Sequence, residues 1–121
     1  MNEKLLPSSL VDAQAAETYA SWFKALADPT RVQLLHLLAR AGRPMSVGEI
    51  VEHAPVGQST VSHHLKVLAQ VTFVLAEQHG VSTRYVINRR CATVFPAALR
   101  AILGEPTRPE EQHVSCADAD D

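Results

Sequence analysis

The stretch Gln58-Ser59-Thr60-Val61-Ser62-His63-His64-Leu65-Lys66-Val67-Leu68 decides how the chain is read. Val61, Leu65 and Leu68 recur at i, i+4 and i+7, one apolar stripe at helical period. Gln58, Ser59, Ser62, His63 and Lys66 fall on the other side. A solvated helix more often carries Glu and Lys there. Short hydroxyl, amide and imidazole groups suit the major groove, where they meet base edges and phosphates. Alone, the pattern fits an amphipathic core helix equally well, so the neighbouring segments decide.

Upstream, Ser46-Val47-Gly48-Glu49 is a capping box, with Ser at the cap and Glu three residues on. Val47, Ile50, Val51 and Ala54 line one face of a short helix, and Pro55-Val56-Gly57 is a turn. Two short helices joined by a Gly-containing turn make a helix-turn-helix. Downstream the period changes. Residues 73–78 read as a strand, His79-Gly80-Val81 as a turn, and residues 82–87 as a second strand rich in β-branched and aromatic side chains. A hairpin directly after a recognition helix is a wing. Arg84 is placed to reach a sugar-phosphate backbone. His79 reads better as a group on a solvated hairpin.

The rest of the chain frames this unit. Ala16, Tyr19, Ala20, Phe23 and Leu26, with Trp22 beside them, predict a first helix over residues 12–27. Its aromatics serve either the core or a second subunit. Asp28-Pro29-Thr30-Arg31 is a helix start, with Asp28 capping and Pro29 at the first helical position. The buried helix that follows stops at Gly42, and Arg43-Pro44-Met45 is an extended link. Asn88 caps a short turn through Cys91. Pro96 disfavours a mid-helix position, so a last helix is predicted over residues 95–103, with Phe95, Leu99, Ile102 and Leu103 as its apolar side. The domain reading is a flexible arm over residues 1–13, a folded unit over 14–104 and a disordered acidic tail over 105–121.

At 121 residues the core is thin, so dimerisation would help it. The net charge of −2 argues against nucleic acid only until it is divided. The tail holds six acids against Arg108, a net of −5, which leaves residues 1–104 at +3. Between residues 54 and 104 the bases are Lys66, Arg84, Arg89, Arg90 and Arg100, and the only acid is Glu77. That is a modest DNA-binding footprint. Cys91 and Cys116, far apart in a chain whose start does not read as a secretory signal, suggest a reducing cytoplasm. No run of apolar residues spans a membrane. An enzyme is not expected: there is no phosphate loop, no His-Glu-x-x-His and no nucleophile elbow.

Phe23 through Arg31, then Gln58 through Leu68, then the hairpin with Arg84-Tyr85, resemble the ArsR/SmtB family of bacterial winged-helix repressors. The resemblance covers roughly residues 16–103. It implies a fold that is mainly α with a β-hairpin wing, an α+β winged helix-turn-helix, dimeric through its first and last helices. It implies a homodimer on double-stranded operator DNA, one recognition helix per half-site, released by an inducer that is often a metal or metalloid. The residues expected on DNA are Gln58, Ser59, Thr60, Ser62, His63, Lys66 and Arg84. His64 is expected to be partly buried and hydrogen-bonded.

The inducer site departs from the family. Residues 46–51 hold no thiol where many members carry a Cys-Val-Cys pair, and the last helix offers no Asp/His pair. Asn88-Arg89-Arg90-Cys91 looks like a subgroup in which adjacent cysteines bind trivalent arsenic, but only one thiol is present. Cys116 could supply a second. No cofactor is required; the metal reading is As(III) or another thiophilic ion at Cys91 and Cys116, with Arg89 and Arg90 favouring the thiolate. A thiol-based redox or persulfide sensor, a regulator with no small ligand, a protein-interaction module and a metal buffer built on His113 and Cys116 stand as alternatives.

Overall fold

Local hydrogen bonding sets each corner of the chain. The computed structural model describes residues 10–105. Helix α1 spans Ala13–Leu26, and the Asp12 carboxylate caps it by accepting from the Ala15 N–H at 2.8 Å. Helix α2 spans Pro29–Ala41. The Asp28 carboxylate accepts from Thr30 N–H and Arg31 N–H at 2.8 and 3.2 Å, and Pro29 fills a position where no donor is missed. Gly42 ends the helix at φ 64°, a backbone conformation that side chains resist. Helix α3 (Val47–Val51) opens on the capping box: Ser46 Oγ accepts from Glu49 N–H at 3.1 Å, and the Glu49 carboxylate accepts from Ser46 N–H at 3.0 Å.

Helix α4 spans Gln58–Gln70 and leads into strands β2 (Val74–His79) and β3 (Ser82–Ile87). Their antiparallel register runs from Val74 opposite Ile87 to His79 opposite Ser82. A two-residue connection joins them, with Gly80 at φ 63°. The link read as merely extended contributes a third strand. Met45–Ser46, here β1, pairs with Tyr85 and Arg84, so the sheet order is β1-β3-β2 and β3 is central. Two residues are too few to show an alternating pattern, and only the partner strand defines them.

The corner between α4 and β2 is held from outside. Thr72 sits at φ 59°, which is costly for a β-branched residue. Buried Asn88 clamps it: its amide donates to the Thr72 carbonyl at 2.8 Å, and its backbone N–H donates to the Phe73 carbonyl at 3.0 Å. The Asn88 side-chain oxygen also accepts from Arg90 N–H at 3.2 Å, the expected cap.

Helix α5 corrects the sequence reading. It spans Cys91–Ile102, beginning four residues before the expected start, with Pro96 inside it. Pro96 removes one hydrogen bond to the Ala92 carbonyl, and Ala92 is exposed, so water can replace the lost donor. The buried side is Val94, Ala97 and Ala98, whose small side chains let the helix pack closely; Leu99, Ile102 and Leu103 are exposed. In α1 the buried residues are Trp22 and Ala25, while Phe23 is partly exposed against Phe95, with ring centroids 5.0 Å apart. Phe95 also meets Trp22 and Phe73, which ties α1, α5 and the foot of the sheet together.

The core joins these elements through Leu34, Leu38, Ile50, Val61, Leu65, Leu68, Phe73 and Val74, all at most 1 % exposed. The arm and the acidic tail fall largely on residues 1–9 and 106–121, which lie outside the described residues.

Candidate nucleic-acid interface

Helix α4 presents two unlike faces. Val61, Leu65 and Leu68 are completely buried, and they hold the helix against α2, α3 and β2. Gln58, Ser59, Thr60, His63 and Lys66 are exposed, and Ser62 is half-buried. Gly57 opens the helix in an extended conformation without a side-chain cap. The first-turn N–H groups therefore lack the side-chain oxygen that caps α1, α2 and α3. That end, carrying amide and hydroxyl groups, can receive an acceptor or an anion.

His63 lines a recess of about 370 Å³ between α4 and α1, together with Ser21, Lys24, Arg31 and Gln70. Arg84 is exposed but sits in the middle of the central strand rather than at the wing tip. It stands opposite Glu77 on one side and Ser46 on the other. The tip itself carries fully exposed Val81, and His79 pairs with Glu77 at 3.1 Å. The structure thus groups six of the seven expected DNA-facing residues on α4 and leaves Arg84 apart from them on the sheet.

His64 is buried, as expected, and its surroundings are polar. Arg31 Nη1 lies 3.0 Å from His64 Nδ1, and Asp28 Oδ1 lies 3.9 Å from His64 Nε2. Arg31 also donates to the carbonyls of Ala25 and Lys24 at the end of α1. Arg31 reads in sequence as no more than part of a helix start, because its ring partner lies 33 residues away. Backbone hydrogen bonding from Arg31 and Thr30 holds the Asp28 carboxyl below its ordinary range. The Ser46 N–H, assisted by Arg43, does the same for Glu49.

Cys91 is half-buried at the start of α5, its Sγ 3.5 Å from the Thr72 carbonyl. It borders an apolar groove of about 660 Å³ lined by Leu26, Val32, Leu35, Phe73 and Phe95. Arg89 is turned to the Ala39 carbonyl at 3.0 Å. Among the described residues no group of three or more His, Cys, Asp or Glu could hold a metal ion. Cys116 and His113 lie outside the described residues.

The family profile described as "Bacterial regulatory protein, arsR family" matches residues 28–74, from the α2 cap to the first residue of β2. A probable mercury resistance operon repressor of Streptomyces lividans is 38% identical over 92 residues, which is 73% of this chain and 72% of that protein. The homodimeric winged helix-turn-helix DNA-binding domain of Mb0332 from Mycobacterium bovis superposes with a TM-score of 0.56 at 31% identity, covering 64% of this chain and 72% of that one. The AntR antimony-specific transcriptional repressor superposes at 0.58 and 29% identity, covering 85% and 86%.

Proposed function

Since the chain belongs to the ArsR/SmtB family of winged helix-turn-helix transcriptional repressors, we propose that it binds an operator as a homodimer and leaves it when an inducer binds. The observation that carries this reading is the division of α4, its apolar stripe sealed in the core and its amide, hydroxyl and imidazole groups in solvent. Gln58, Ser59, Thr60, Ser62 and His63 read base edges; Lys66 and Arg84 contact phosphates. Exposed Leu99, Ile102 and Leu103 on and just beyond α5, with Phe23 on α1, are the apolar surface that a second copy covers. The protein acts in the cytoplasm, and among the described residues no helix is long and apolar enough to cross a membrane.

The inducer in this reading is a thiophilic ion such as As(III), held by Cys91 with Cys116. Relatives named for mercury resistance and antimony specificity support that class of ion, and so does the position of Cys91 beside the α4–β2 corner. A ligand there would pull on the segment that follows the recognition helix. The test is release from the protein's own upstream DNA on adding arsenite, antimonite, zinc, cadmium or oxidant. Arsenite should release the wild type and leave Cys91→Ser bound. Release of Cys91→Ser by arsenite removes the thiol site. Release by oxidant with a Cys91–Cys116 crosslink reassigns the thiols to redox or persulfide sensing.

A further inference from the structure

The polar cluster beneath the recognition helix has a definite proton arrangement. Arg31 carries donors only and stays charged. Its Nη1 lies 3.0 Å from His64 Nδ1, so that ring nitrogen must carry the lone pair. With Arg31 as the donor there, the ring presents its N–H at Nε2, facing Asp28 Oδ1 at 3.9 Å. That carboxylate oxygen already accepts from Thr30 and Arg31 N–H and so fixes the start of α2. The guanidinium meanwhile donates to the Ala25 and Lys24 carbonyls, the negative end of α1. The imidazole and the Arg31 guanidinium together thus join the end of α1, the start of α2 and the middle of α4.

We infer that His64 is a positioning residue for DNA recognition: held as its Nε2–H tautomer between Arg31 and Asp28, it fixes how α4 is turned on the α1–α2 corner. The inference rests on the reading of α4 as the DNA helix. Apolar packing of Val61, Leu65 and Leu68 keeps α4 against the core but is not directional. A hydrogen bond to a fixed fork is directional, and sets the rotation about the helix axis. His63 is the adjacent residue, its ring centroid 5.6 Å from that of His64, so any turn of the helix moves it. The charged and titratable groups that face His64 are Asp28 and Arg31 from α2 and its cap, with His63 on its own helix. Lys24 on α1 lines the recess that Arg31 and His63 share.

Two measurements on the full chain test this. The first is ring-nitrogen NMR of histidine-labelled protein without DNA at neutral pH. His64 should appear as a single Nε2–H tautomer; an Nδ1–H tautomer or an imidazolium overturns the inference. The second compares the operator with a scrambled duplex for His64→Asn, which keeps an acceptor at the Nδ1 position, and His64→Leu, which keeps bulk alone. His64→Leu should lose about tenfold on the operator, the scale of one base contact, and little on the scrambled duplex, while His64→Asn restores most of the loss. If His64→Leu fails to fold, Arg31→Met, which removes the donor instead, replaces it with the same expectation. Wild-type affinity for the operator in these variants overturns the clasp alone. A wild type that never distinguishes operator from scrambled DNA removes the DNA reading of α4 and the inference with it.

Discussion

Ser62 and His63 are neighbours on α4 that meet different surroundings, half-buried and exposed respectively. Each offers hydrogen-bonding atoms suited to a base edge. Ser62→Ala and His63→Ala should each weaken operator binding by about 1–3 kcal/mol, and less on a scrambled duplex, as fluorescence anisotropy would read. Unchanged affinity in either variant takes that residue off the reading face. Lys66 is exposed and carries a flexible cation. Lys66→Ala should weaken binding to all sequences and lower the slope of log affinity against log salt by about 1; an unaltered slope places Lys66 away from the phosphates. These residues were legible because helical period alone puts them opposite Val61, Leu65 and Leu68. Arg31 was not, since its role depends on packing α2 against α4. Arg84 was legible as exposed, but its distance from the wing tip follows from the pairing of β3 with β1 and β2.

Among the elements, those with local punctuation were the most legible. Asp28-Pro29, the Ser46–Glu49 box and Gly42 each act through neighbours in sequence, and each stands where the sequence put it. Ser46→Ala should cost about 1 kcal/mol in denaturant unfolding, because it strips one N–H at the start of α3 of its acceptor. Strand β1 escaped reading because two residues carry no period. The start of α5 escaped because a single proline inside a helix loses only one hydrogen bond, and burial of Val94, Ala97 and Ala98 outweighs it. The α4–β2 corner could not be foreseen at all, since Asn88 reaches it from the far side of the hairpin. Asn88→Ala should destabilise the fold by about 1–3 kcal/mol by leaving the buried corner short of a donor. A loss of only a few tenths would mean that water replaces the amide without strain.

At the scale of the whole molecule, two carboxylates link the fold to pH. Asp28 and Glu49 are held below their ordinary values by backbone N–H groups. Depressed values mean that their contribution is complete above the unfolded carboxylate range of about 4 and fades as pH falls through the folded values. Thermal melts should therefore be level at mild pH and decline below about 4. Both groups are solvent-accessible, so the decline should be shallow, and Asp28→Asn should flatten it further; a parallel decline in wild type and variant would exclude Asp28 as a contributor. The apolar residues left exposed on α1 and at the end of α5 make a single copy an incomplete object. Ile102→Glu with Leu103→Glu should yield a folded monomer by sedimentation, with operator affinity reduced at matched concentration; a dimer retained in that variant would put the subunit contact elsewhere. In the proposed complex two copies of α4 read one duplex. Its most direct test is footprinting of the full chain on its own upstream DNA, with a salt titration of the bound complex. One dimer should protect two half-sites about one helical turn apart, with affinity falling steeply as salt rises. Weak protection without sequence preference at low salt, or protection of a lone half-site by a monomer, would contradict it.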